Sequence, residues 1–228
     1  MRIAKFISNS GYCSRRDAEK LISQRKVYIN NKICLEPNIN VSINDKIEID
    51  KKKIILRNEL KLWKFYKPVK IICTNKDPQK RKTIFDILPK KMPRVISIGR
   101  LDYMSEGLLL LTNNGDYARK MELPSSNIIR IYKVFIKGSI DKEKIDLINK
   151  GIKINKIIYK KIKVKIEKKN NNNACLIFKL KEGKNREIRK ICEYFNWYII
   201  KLIRIQYGKF KISNQKPGEI MEVKNLND

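Results

Sequence analysis

The sequence predicts an α+β fold: a small helical/β module, followed by a mixed, largely antiparallel β-sheet domain with flanking helices. Three observations predict it. Short stretches with helical spacing of apolar residues, such as Ala18, Leu21 and Ile22, alternate with strand-like runs such as Leu62 to Tyr66 and Gly107 to Thr112. Turn signals at Asn30-Asn31, Asn44-Asp45 and Asn113-Asn114-Gly115 close many of these runs, which favours antiparallel pairing over a doubly wound parallel sheet. The chain has 228 residues, 42% of them hydrophobic, and shows no repeat of fixed period, which suits a small module joined to a medium one.

Residues 1–57 read as the first module and 58–228 as the second domain. A short helix over residues 2–8 carries Ile3, Phe6 and Ile7, and Gly11 can end it. Ser14 and Asp17 offer a capping-box start for a second helix. A hairpin then runs through Val27-Tyr28-Ile29, Asn30-Asn31, and Ile33 with Leu35. Val41, Ile43, Ile47 and Ile49 alternate about Asn44-Asp45 as another strand pair. Residues 56–61 connect to a strand over Leu62 to Tyr66, which Lys67-Pro68 stops. Val95 to Ile98 leads into Gly99-Arg100-Leu101-Asp102, and the run Gly107 to Thr112 follows. Asp116 can start a helix that Pro124 ends. Ile129, Ile131, Val134 and Ile136 sit in a strand, and Asp141 to Lys150 forms a helix closed by Gly151. Residues 157–168 and 174–181 read as a hairpin around an Asn tract. Asn185 can cap a helix through Phe195, and 198–207 returns as a strand.

Charge bounds the partners. Lys and Arg number 53 against 23 Asp and Glu, a formal charge of +30, which suits a polyanion because each neutralised phosphate releases a counterion. A compositional bias toward Lys, Ile and Asn, visible in 160-KKIKVKIEKK-169 and 170-NNNN-173, competes with that reading. The basic residues are scattered, so a broad positive face is expected rather than a basic tail. No run of about 18 apolar residues occurs, and the N-terminus lacks the pattern of a signal peptide, so a cytosolic protein with no membrane partner is expected. Cysteines 13, 34, 73, 175 and 192 are dispersed without a C-x-x-C pair, which points to inert thiols in a reducing compartment rather than a metal site. The chain contains 0 histidines, so a general base must be a carboxylate, Lys, Tyr or Cys, and no Ser-His-Asp mechanism is possible.

Two sets of motifs carry a resemblance. The string 2-RIAKFISNSGYCSRRDAEKLI-22 resembles the S4 RNA-binding domain, over about residues 2–50. Within that module Arg15, Arg16, Lys20, Arg25 and Lys26 line the helical part as a basic face. In the second domain, 99-GRLDYMSEGLLLLTNNG-115 resembles the catalytic motif of RNA pseudouridine synthases, specifically the RsuA/RluB branch that acts on ribosomal RNA; Met104 stands where that family more often has Thr or Asn. The segments 129-IRIYKVFIKG-138, 182-EGKNREIRKICEYF-195 and 202-LIRIQYG-208 match the same family in order and spacing.

The resemblance implies that Asp102 is the catalytic carboxylate, that Tyr132 stacks on the target base, and that Arg189 pairs with Asp102. Read without it, Asp102 would be a loop cap, Tyr132 a core residue and Arg189 a solvated charge. Arg100, Lys184 and Arg186 are further candidates for RNA contact. The implied reaction breaks the N1–C1′ bond of a uridine and makes a C5–C1′ bond, with no net redox change, and so needs no cofactor. The uridine must be flipped out at a cost of a few kcal/mol, of which stacking on Tyr132 recovers about 1–3 kcal/mol. The segment 182-EGKNREIR-189 resembles RluB-type enzymes, which act on large-subunit ribosomal RNA, more than RsuA-type enzymes, which act on the small subunit, so the resemblance implies a large-subunit target; a monomer is expected. Two rivals are weighed. An RNA-binding protein without catalysis would not need Asp102, Tyr132 and Arg189 together, and a base methyltransferase would need a Gly-rich cofactor loop after a strand, which the sequence lacks.

Overall fold

The computed structural model describes residues 1–56 and 59–225. The chain divides into two compact units. One is Met1–Leu62 with Pro89–Ile96 and Thr112–Tyr117, and the other is the remainder. The boundary expected at 57/58 falls on residues outside the described ones.

Apolar residues at helical spacing build the N-terminal unit. Helix α1 (Ile3–Asn9) buries Ile3, Phe6 and Ile7, and α2 (Arg15–Ser23) buries Ala18 and Ile22 against them. Ser14 caps α2 by accepting from the Asp17 N–H at 3.1 Å. A four-stranded sheet completes the unit, with strands β1 (Val27–Ile29), β2 (Lys32–Ile33), β3 (Ile47–Ile49) and β4 (Lys52–Ile54) in the order β2-β1-β3-β4. Asn30 and Asn31 both hold positive φ, 49° and 67°, the twist a two-residue hairpin turn requires.

The pairing expected between Val41-Ile43 and Ile47-Ile49 does not form. The Asp45 carboxylate accepts from Ser42 N at 2.7 Å and from Asn30 Nδ2 at 2.8 Å, which folds 42–45 into a side-chain-bonded loop and leaves Ile43 exposed. β3 pairs instead with β4, about Asp50 and Lys51, again two successive left-handed residues. Leu35 also lies outside the hairpin and is exposed.

A nine-stranded sheet organises the second unit. Its strands are β5 (Leu62–Lys67), β6 (Ile96–Ile98), β7 (Glu106–Thr112), β8 (Arg130–Lys137), β11 (Lys163–Lys169), β12 (Asn173–Leu180), β13 (Tyr198–Tyr207), β14 (Phe210–Lys211) and β15 (Ile220–Glu222), and β9 (Ile152–Ile154) and β10 (Ile157–Tyr159) form a separate hairpin. The order is β11-β12-β8-β13-β7-β5-β15. β13 runs antiparallel to β8 and parallel to β7, so the sheet is mixed, as expected. The helices are α3 (Gly115–Glu122), α4 (Lys142–Lys150) and α5 (Glu187–Tyr194). Val134, Ile136, Leu176 and Phe178 on the sheet meet Ile145 and Ile148 of α4 and Ile188 and Ile191 of α5 in one core. All of β7 is buried, and Leu108 to Leu111 are each 0% exposed. Each such leucine contributes about 1.5–3 kcal/mol.

Three local expectations change. Residues 157–159 pair with 152–154 through a tight turn at Asn155-Lys156, so the hairpin around the Asn tract is confined to β11 and β12. Asn114, not Asp116, caps α3, its Oδ1 accepting from Tyr117 N at 2.8 Å. Asn185 does not cap α5. Arg186 takes the N-cap position with φ 53°, and the Glu187 carboxylate reaches back to Lys184 N at 3.0 Å.

Gly107 of β7 lies opposite Arg204 of β13. Its φ is +102°, and a Cβ there would lie 2.4 Å from the Arg204 carbonyl oxygen and 2.8 Å from the Arg204 nitrogen. Both atoms are backbone and cannot step aside. Gly107→Ala is expected to destabilise the protein by about 3 kcal/mol or more, read as a lowered urea midpoint. A midpoint unchanged from wild type would mean that the two strands can part without cost.

Candidate active site

The segment between β6 and β7 is held through its backbone. Gly99 N donates to Glu122 Oε1 at 2.6 Å, and Ser105 N to the Asp102 carbonyl at 3.0 Å. Two buried cations grip it from beneath. Lys67 is fully buried, and its Nζ donates to the carbonyls of Pro68, Asp102 and Ser105 at 2.8, 3.2 and 2.8 Å. Arg204, 2% exposed, donates from Nε to the Leu108 carbonyl at 2.7 Å and from Nη1 to that of Arg100 at 3.5 Å. Neither was singled out from the sequence. The signal was there: Trp63, Phe65 and Lys67 alternate onto one buried face, and Arg204 follows Leu202 in the same way.

With the backbone fixed by others, the Asp102 side chain is left to the cleft. Among the described residues, the hydrogen bond recorded to its carboxylate comes from Arg189, with Nε 3.3 Å from Oδ2. The loop-cap alternative therefore does not hold for this side chain. Arg189 also donates from Nη2 to the Met104 carbonyl and to Ser105 Oγ, each at 2.9 Å. It projects from α5, whose buried face carries Ile188, Ile191 and Cys192. Burial pushes the Cys192 thiol up to about 12, which fits an inert core residue.

Asp102, Arg189 and Tyr132 line one cleft of about 1050 Å³, together with Ile188, Leu202 and Arg204. Tyr132 lies on β8 directly opposite Phe178 and Arg204, half-buried against the core. Tyr207 is held in the wall, with the Arg130 and Arg204 guanidiniums 4.8 and 5.1 Å from the centre of its ring. Arg100, Lys184 and Arg186 are exposed and line the same cleft, although Lys184 is also tied to Glu182 at 3.4 Å and to the Ile158 carbonyl. Arg15, Arg16, Lys20, Arg25 and Lys26 are all exposed on the N-terminal unit, at and just beyond α2.

Burial pushes the Lys67 ammonium down to about 8, with Cys73, Asp102 and Glu106 opposing the shift. Below pH 8 Lys67 carries its proton both folded and unfolded, and the cost of burying its charge is constant. Between about 8 and the ordinary 10.5, the unfolded chain holds the proton more tightly, so the contribution of this residue to stability rises with pH. The unfolding free energy of the wild type relative to Lys67→Met is expected to climb across that window in urea titrations. A flat difference would show that Lys67 pays no penalty for its charge.

A family model described as RNA pseudouridylate synthase matches residues 61–194, and the S4 domain model matches residues 1–47. An uncharacterized RNA pseudouridine synthase of Rickettsia felis is 50% identical over 98% of this chain and 97% of that protein. The ribosomal large subunit pseudouridine synthases B of Buchnera aphidicola and Bacillus subtilis are 39% and 33% identical, over 99% and 97% of this chain and 91% of each relative. A crystal structure of a pseudouridylate synthase, 23% identical, shares the fold with a TM-score of 0.68 over 98% of this chain and 96% of its own. The chain therefore belongs to the RNA pseudouridylate synthase family, with an S4 domain ahead of the synthase domain.

Proposed function

We propose that this protein isomerises a specific uridine of large-subunit ribosomal RNA to pseudouridine, with Asp102 as the catalytic carboxylate. One observation carries the reading: the Asp102 carboxylate faces the cleft, held by Arg189 and not by its own loop. Asp102 either adds to C1′ or removes the C2′ proton. In both routes the N1–C1′ bond breaks and the freed uracil turns in place; C5 then bonds to C1′ as the carboxylate–C1′ bond breaks in the first route, or as Asp102 returns the proton to C2′ in the second. The C5 hydrogen leaves as a proton, and N1 ends protonated. Arg189 is a positioning residue that aims the carboxylate through a charge-assisted hydrogen bond. Tyr132 supplies an aromatic face for the flipped base, worth about 1–3 kcal/mol.

The large-subunit target rests on the two relatives named as acting there. Residues 1–57, through Arg15, Arg16, Lys20, Arg25 and Lys26, grip the RNA, and residues 58–228 carry the chemistry as a monomer without a cofactor. No described helix is long and apolar enough to cross a membrane, and the cytosol is the compartment where this substrate occurs. The test is tritium release from ribosomal RNA transcripts labelled with 5-tritiated uridine. Release from the large-subunit transcript alone is expected. Release from the small-subunit transcript instead would reassign the target, and release from neither, with binding intact, would leave a protein that only binds RNA.

A further inference from the structure

Alternation divides β11, β12, β8 and the first half of β13 into two faces. Val164, Leu176, Phe178, Val134 and Leu202 point into the core that floors the cleft. On the opposite, more open face Ile131, Phe135, Ile177 and Ile203 are partly exposed and Cys175 is buried. Lys137, Lys163, Lys165, Lys179 and Lys201 stand exposed on it, and Lys133 is half-buried among them. Glu167 is the only carboxylate in these four strands, and it is already bound to Lys133 at 2.5 Å. Lys201 takes the neighbouring Glu106 at 2.9 Å. Lys163 and Lys179 sit directly opposite each other, an arrangement that costs stability when nothing anionic lies over it.

A lysine-rich composition does not produce this asymmetry. Helix α4 carries Lys142, Lys144 and Lys150, but interleaves them with Glu143 and Asp146. The open face has its acids consumed and its lysines left over. Tyr198, 72% exposed and opposite Lys137, adds an aromatic ring at one end.

We propose that this open sheet face, on the far side of the sheet from the cleft, is a second RNA-binding surface that takes the phosphate backbone of a segment other than the one carrying the target uridine. The inference rests on the proposed function for the identity of the RNA. A large folded RNA already held at the cleft supplies further phosphates, and Tyr198 offers a base a stacking partner that a lipid headgroup would not use. The enzyme then holds its substrate from both sides, and this grip favours long structured RNA over short hairpins.

The test compares two triple variants of equal charge in the full chain: Lys163→Gln/Lys165→Gln/Lys179→Gln on the open face, and Lys142→Gln/Lys150→Gln/Lys153→Gln on the helical side. Filter binding of a bacterial large-subunit ribosomal RNA transcript is measured across a salt series. The open-face variant is expected to bind roughly tenfold more weakly at about 0.1 M salt, with the log–log salt slope reduced by about 2–3 for three lost phosphate contacts. The helical-side variant should change by less than about twofold. Equal losses in both, or none in the open-face variant, would overturn the proposal. So would a loss confined to phosphatidylglycerol vesicles, which would make the face a membrane contact. Tritium release by the wild type on the same transcript reports separately on the proposed function.

Discussion

Asp102→Asn is expected to abolish tritium release, lowering single-turnover rates by at least about 10⁴-fold, while RNA affinity remains nearly intact. The loop is held by Lys67, Arg204 and Glu122, all through its backbone, so exchanging the Asp102 side chain disturbs none of those bonds. Asn is close to isosteric and keeps a carbonyl oxygen for Arg189. It can neither add to C1′ as a carboxylate nor take the C2′ proton, so chemistry stops while the site stays assembled. Affinity should, if anything, rise slightly, because Arg189 loses its anionic partner in a cleft that meets phosphates. Equal urea midpoints for variant and wild type would establish that folding is not the cause. An Asp102→Asn enzyme that still released tritium would remove Asp102 from the mechanism.

The parts of the candidate site that were legible share one property: they stand in motifs that resemble those of a known family. Asp102 after Gly99-Arg100-Leu101, Tyr132 in its strand, and Arg189 in its helix stand in the family's order, and the fold brings all three to one cleft. What escaped were the residues that act through burial. Lys67 looked like the end of a strand, and Arg204 like one more basic residue in a chain that has 53 of them. Such an excess of Lys and Arg hides the two whose charge is buried, because identity carries no hint of solvent exposure. The alternation of Trp63, Phe65 and Lys67 was the available clue, and it requires the strand face to be assigned first.

Local topology failed for a related reason. Val41 to Ile49 has a clean period of 2, but Asp45 satisfies the loop with its side chain and β3 finds its partner downstream. Side chains that compete with the backbone for hydrogen bonds are invisible to a pattern of apolar residues. The same holds at α5, where Asn185 gives no cap, Arg186 takes the N-cap position, and the Glu187 carboxylate accepts from Lys184 N just ahead of the helix. The fold class survived these slips because the long strands β8, β12 and β13 carry enough apolar alternation to override any single turn.

Arg189 separates positioning from charge. Its Nε meets Asp102 while Nη2 spans to Met104 and Ser105, so one planar group ties the carboxylate to the segment that follows it. Arg189→Met removes all three contacts and leaves Asp102 unpaired in the cleft, and kcat is expected to fall by about 10²–10³. KM should move little, since Tyr132 and Ile188 still line the site. Arg189→Lys restores the charge as a single point that cannot reach both sides. If charge were the whole contribution, the lysine variant would recover wild-type kcat. If aim matters, it recovers only part, and a loss of roughly tenfold or more persists at saturating RNA. Single-turnover rates of the two variants against the wild type decide between them, and a methionine variant with undiminished kcat would show that Asp102 needs no guanidinium beside it.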